Sequence, residues 1–73
     1  MIGKTLKKLR KEKGLSQKQL AKLIGVAQTT LSGYETEYSN PILKTIIDIA
    51  NICDYDLVLI NKKNKDKKII IKN

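Results

Sequence analysis

A chain of 73 residues makes one small domain. With no His and only Cys53, it lacks a Ser–His or Cys–His catalytic pair, an internal disulfide partner and a zinc ligand set, so no enzyme, metal or cofactor is expected. Its 15 Lys and Arg against 7 Asp and Glu leave a net +8, a balance that suits a polyanionic partner.

In chain order, Ile2, Leu6 and Leu9 fall at helical spacing with lysines on the other face. Gly14 follows, suited to the left-handed residue that ends a helix. Ser16-Gln17-Lys18-Gln19 predicts a capping box at the start of a second helix, whose apolar face is Leu20, Leu23 and Ile24 with Ala21 beside it. Gly25 ends it. A third short helix is predicted from Gln28 to about Thr36, with Leu31 and Tyr34 inward and Ala27, a weak N-cap, before it.

Residues 36–40 read as a polar loop, and Asn40-Pro41 predicts a cap and a first-turn proline for a fourth helix. That helix is apolar nearly all round. A stripe of Leu43, Ile46, Ile47 and Ala50 suffices for the core, leaving Ile49 and Ile52 as surplus to be covered by something else. Cys53 reads as a small core residue.

The period then changes. Residues 56–61 and 68–72 are short, β-branched and separated by a charged turn, which predicts a hairpin apolar on both faces. A two-stranded ribbon is marginal alone, and so is the core of a chain this short; both point to pairing with a second copy. Lysines cluster in residues 4–13 and 62–72. The second cluster either contacts phosphates or keeps an apolar hairpin soluble. The chain divides into residues 1–53 and a 54–73 hairpin, the expected dimerisation element.

No apolar run approaches the ~18 residues of a membrane span, and the first residues lack the apolar stretch of a signal peptide. A cytoplasmic protein is expected, consistent with one free thiol. A membrane-surface role for the lysine-rich first helix would leave the pattern of residues 16–35 unused. RNA binding lacks a stacking platform, with three Tyr, no Phe and no Trp.

Residues 17–36 carry the decisive pattern: a small Ala21 at a helix crossing, a turn at Gly25, and a shared core of Leu20, Ile24, Val26, Leu31 and Tyr34. Such a unit holds its second helix rigidly enough to enter a major groove. The chain resembles the Cro and phage-repressor, or XRE, family of helix-turn-helix regulators. The resemblance rests on residues 9–21, Gly25-Val26-Ala27-Gln28, Leu31-Ser32-Gly33-Tyr34-Glu35, Asn40-Pro41 and residues 45–50, and it covers about residues 2–53.

It implies a mainly α fold: a four-helix repressor-like helix-turn-helix domain, here with a C-terminal β-hairpin. It also implies a sequence-specific DNA-binding regulator, a homodimeric repressor on an inverted-repeat operator. Gln17 would contact phosphate or base at the start of the second helix, and Gln28, Thr29 and Ser32 would face the groove. A carboxamide such as Gln28 can pair bidentately with adenine, and the Thr29 methyl can meet a thymine methyl. Lys44 would take phosphate, with Asn40 bordering the same end. Arg10 would form an ion pair with Glu35 or contact phosphate. Gly33 stands where such proteins often carry a long polar side chain, so a base contact is lost there.

The departure comes after Ala50, where many members continue into a fifth helix. A helix running directly into a strand is similar to small antitoxins of toxin–antitoxin modules. The alternative function is therefore an antitoxin that binds a protein toxin and autoregulates its operon. In either case residues 57–60 or 69–71, with Ile49 and Ile52 beneath, would pair two chains.

Overall fold

The structure is a computed structural model that describes residues 1–72. Four helices, α1 (Gly3–Glu12), α2 (Gln17–Ile24), α3 (Gln28–Glu35) and α4 (Leu43–Ile52), precede strands β1 (Leu57–Ile60) and β2 (Lys68–Ile71). This is the expected fold class, with the end of α1 and both ends of α2 set by local chemistry. Gly14, at φ 78°, closes α1: its amide donates to Lys11 O at 3.0 Å and that of Leu15 to Arg10 O at 3.1 Å, the paired bonds of a left-handed helix end. Gly25, at φ 73°, ends α2 in the same way through Val26 N–H to Ala21 O at 3.0 Å. The capping box is complete: Gln19 N–H donates to Ser16 Oγ at 3.0 Å, and Ser16 N–H donates to Gln19 Oε1 at 2.8 Å.

The core centres on a cluster of Leu6, Leu20, Ala21, Leu31, Ile49 and Cys53, flanked by Ile2, Leu9, Leu15, Ile24, Val26, Tyr34 and Ile52, and Ile47 and Ala50 of α4 are buried as expected. Burial pushes the Cys53 thiol pKa up, which disfavours a reactive thiolate and suits a packing role.

Three expectations are corrected. Asn40 does not cap α4. Ile42, extended at φ −71° and ψ 161°, holds that position without a side-chain bond, and Pro41 lies one residue ahead of it. The amides of Tyr38 and Ser39 fold back onto Gly33 O at 2.9 and 3.2 Å, and residues 40–42 stay outside any helix before α4 begins. The buried arc of α4 is also shifted: Ile49 is 0% exposed and Leu43 55%. Because α4 packs against both α1 and α2, its covered sector is wider than one stripe and takes in Ile49. Ile49 therefore cannot lie in a seam between chains. Leu23, expected on the apolar face of α2, is 60% exposed and lies at the open margin between α2 and α4.

Gly3 marks the closest approach of α1 to α3. A methyl added there would sit 2.5 Å from Tyr34 O and 2.7 Å from Glu35 O, both rigid backbone. Gly3→Ala is therefore expected to cost about 1–3 kcal/mol through overpacking, lowering the melting temperature by roughly 4–8 °C per kcal/mol. Thermal unfolding followed by circular dichroism checks this; an unchanged melt would mean that α1 can shift freely.

The strands pair antiparallel with Leu57 opposite Ile71, Val58 opposite Ile70, Leu59 opposite Ile69 and Ile60 opposite Lys68. One face of the ribbon is Leu57, Leu59, Ile69 and Ile71; the other is Val58, Ile60, Ile70 and Lys68. Leu59, Ile60, Ile69 and Ile70 are all exposed, Ile69 at 66%. The connecting turn is braced by Asn61 Oδ1, which accepts from the Lys63 and Asn64 amides at 2.9 Å each. At the stem, Lys13 Nζ donates to Asp54 Oδ2 at 2.7 Å and Tyr55 OH to Glu12 Oε1 at 2.6 Å. No helix among the described residues is long and apolar enough to cross a membrane.

Candidate nucleic-acid interface

The helix pair α2–α3 is built so that α3 presents its first turn outward. Leu31 is buried beneath it and Tyr34 packs on the core, while Gln28 and Thr29 are exposed and Ser32 is half-buried. Ala27 brings no side-chain cap, so the first-turn amides of α3 are left to a ligand or water. Positions 28, 29 and 32 share one side of the helix.

The far end of α3 is fixed by a buried network. Arg10 Nε donates to Glu35 Oε2 at 2.7 Å and Arg10 Nη2 to Glu35 Oε1 at 3.0 Å, a forked pair. Arg10 Nη1 donates to Leu15 O at 2.8 Å, and Gln17 Nε2 to Glu35 Oε1 at 3.1 Å. The two side chains of the ion pair are only 9% and 1% exposed. Burial alone would push the Glu35 carboxyl up. The bonds from Arg10 and Gln17, with the charges of Arg10 and Lys7, outweigh it and hold the pKa below the ordinary value. One carboxylate thus ties α1, α2 and α3 together.

Of the two roles expected for Arg10, the structure shows the ion pair, with the guanidinium largely enclosed. Gln17 is half-buried, with its amide nitrogen on Glu35, so one end of its side chain is already committed. Sequence patterning missed that bond, because residues 17 and 35 lie on different helices. Asn40 is exposed in the loop before α4. Lys44 is exposed in the first turn of α4 and pairs with Asp48 at 2.9 Å. Among the described residues, no hydrogen bond or ion pair links Asn40 or Lys44 to Gln28, Thr29 or Ser32.

Residues 6–60 match the helix-turn-helix family model. The chain belongs to the XRE-type helix-turn-helix family. It is 35% identical over 69 residues to the uncharacterized HTH-type transcriptional regulator YqaE of Bacillus subtilis, a match covering 94% of this chain and 60% of that protein. The chain thus spans less than two thirds of that relative's length. It is 32% identical over 63 residues to the antitoxin HipB of Escherichia coli K12, covering 86% of this chain and 72% of HipB. A crystal structure of SinR, the master regulator for biofilm formation, in complex with DNA superposes with a TM-score of 0.68 and 38% identity. That match covers 75% of this chain and 89% of SinR's.

Proposed function

We propose that this helix-turn-helix chain is a sequence-specific DNA-binding regulator, a repressor that acts as a homodimer on an inverted-repeat operator. The observation that carries the proposal is the exposed first turn of α3, with Gln28 and Thr29 outward on a helix whose other side is locked by Leu31 and Glu35. The likeness to a SinR structure solved with DNA supports it. Gln28 pairs with adenine, the Thr29 methyl meets thymine, and Ser32 follows along the groove. Gln17, Asn40 and Lys44 take phosphates and fix register. Pairing of two hairpins sets the recognition helices about 34 Å apart, one turn of DNA.

Selection of bound duplexes from a random library supplies the operator. On it, Gln28→Ala is expected to cost about 1–3 kcal/mol and to relax base preference at one position of each half-site. Equal losses on operator and random DNA, with the selected sequence unchanged, would remove Gln28 as a reader.

A second function, that of an antitoxin, is favoured by the exposed apolar hairpin and by the HipB relative. It keeps the DNA contacts and adds a protein toxin as partner. Co-expression with the product of a neighbouring small gene checks it: a stable complex that relieves growth arrest is expected, and no complex with either neighbour's product would dismiss it.

A further inference from the structure

The positive charge of this chain does not lie where the reading helix lies. Residues 17–53, which include α2, α3 and α4, carry Lys18, Lys22 and Lys44 against Glu35, Glu37 and Asp48, a balance of zero. Residues 1–16 carry six basic residues against Glu12 alone, and residues 54–73 carry six against three Asp. Phosphate neutralisation dominates the affinity of proteins for duplex DNA. A neutral reading unit therefore needs its cations from a neighbouring element.

Two of the six basic residues near the start are already engaged, Arg10 with Glu35 and Lys13 with Asp54. The other four, Lys4, Lys7, Lys8 and Lys11, are exposed and line one open surface of α1 at i, i+3, i+4 and i+7. Glu12, at the end of that row, accepts the hydrogen bond of Tyr55. Helix physics does not explain the row. Like charges at these spacings oppose helix formation, and Lys4 sits in the first turn, where the helix dipole disfavours a cation. The row begins beside the C-terminal end of the reading helix, because α1 meets α3 at Gly3, against the carbonyls of Tyr34 and Glu35. Lys7 is near enough to Glu35 to act on its carboxyl. From Lys4 to Lys11 the row runs about 10 Å at ~1.5 Å per residue, the axial length of roughly three phosphates on one strand.

We propose that the lysine row of α1, Lys4, Lys7, Lys8 and Lys11, is the principal phosphate-contacting surface of this chain and grips the backbone of the same duplex that α3 reads. The proposal rests on DNA binding as assigned above and adds where the affinity comes from. Because phosphate contacts carry no base information, the row strengthens operator and random duplex alike.

The test compares two charge-matched variants, Lys4/Lys7/Lys8/Lys11→Gln on α1 and Lys62/Lys63/Lys65/Lys67→Gln on the hairpin turn, each removing four positive charges. Affinity for the selected operator and for a random duplex is measured across a salt series, with melting curves to confirm folding. The α1 variant is expected to flatten the slope of log K against log [salt] by about 3 per bound chain, on both duplexes. The turn variant is expected to change it by less than about 1. If the fourfold α1 variant does not fold, Lys4/Lys7→Gln and Lys8/Lys11→Gln are each expected to give about half the effect. An unchanged slope in the α1 variants, or a larger change in the turn variant, would overturn the proposal while leaving DNA binding intact. A wild-type chain with no affinity for any duplex would overturn the DNA assignment, and this proposal with it.

Discussion

Glu35→Ala is expected to leave the chain largely unfolded at neutral pH and room temperature. The substitution strands a buried guanidinium, and breaking one partner of a buried pair costs about 3–5 kcal/mol. That equals roughly the whole stability a core of this size supplies, about 3–5 kcal/mol. Removing both charges is expected to restore much of the loss: in Arg10→Met with Glu35→Leu no buried charge is left unpaired, although Gln17 loses its acceptor and Leu15 O its donor. The same carboxylate gives the wild type an acid limit. Its pKa in the folded chain lies below the ordinary value of 4.5, so its stabilisation is full above that value and is lost as pH falls through the folded one. Melting temperatures followed downward from neutral pH are expected to fall in that window, and less steeply in the double variant. A Glu35→Ala chain melting within a few degrees of wild type would show that the pair contributes little.

Val58→Lys with Ile60→Lys is expected to abolish the proposed dimer and lower operator affinity by about 100-fold or more, since each half-site is then bound without the other. Both residues lie on one face of the ribbon, with Ile70 across from Val58. Burying four apolar hairpin side chains per chain contributes on the order of 6–12 kcal/mol gross. Association and side-chain ordering oppose it with about 4–15 kcal/mol, so two charges placed in the seam are enough to reverse the balance. The helical circular dichroism signal is expected to persist, because the core cluster contains no hairpin residue. Sedimentation at micromolar concentration, run beside operator titration, makes the check. A wild-type chain that is monomeric when free and binds DNA as a monomer would sink this model, with the hairpin then left to cover its own α4.

Much of the fold was legible because its signals are local. Ser16 with Gln19, and the glycines at 14 and 25, act within a few residues of themselves, and the structure places each as its chemistry requires. The Arg10–Glu35 pair was legible only through the family resemblance, since nothing local joins residues 25 apart. What stayed hidden depends on neighbours. The choice of Ile49 over Leu43 for the core follows from α4 being covered on two sides. The start of α4 falls at Ile42, which caps it with no side-chain bond, so a capping preference at Asn40 does not report it. Among the site residues, the outward turn of Gln28 and Thr29 was legible from the helix-turn-helix pattern, whereas the bond from Gln17 to Glu35 was not.

The hairpin's attachment has a consequence for amide hydrogen exchange. Its strands bond to each other, and its stem is held to α1 by the exposed Lys13–Asp54 and Glu12–Tyr55 contacts. Exposed pairs of this kind stabilise weakly, so the ribbon can open without disturbing Leu6, Leu20 or Leu31. In dilute solution the amides of residues 57–60 and 68–71 therefore belong to a fast-exchanging unit, and those over the core to a slow one. Pairing of second copies through the ribbon, as proposed, would slow the fast unit as concentration rises while the slow unit keeps its rate. The difference between the two rates becomes a direct gauge of how much of the protein is paired.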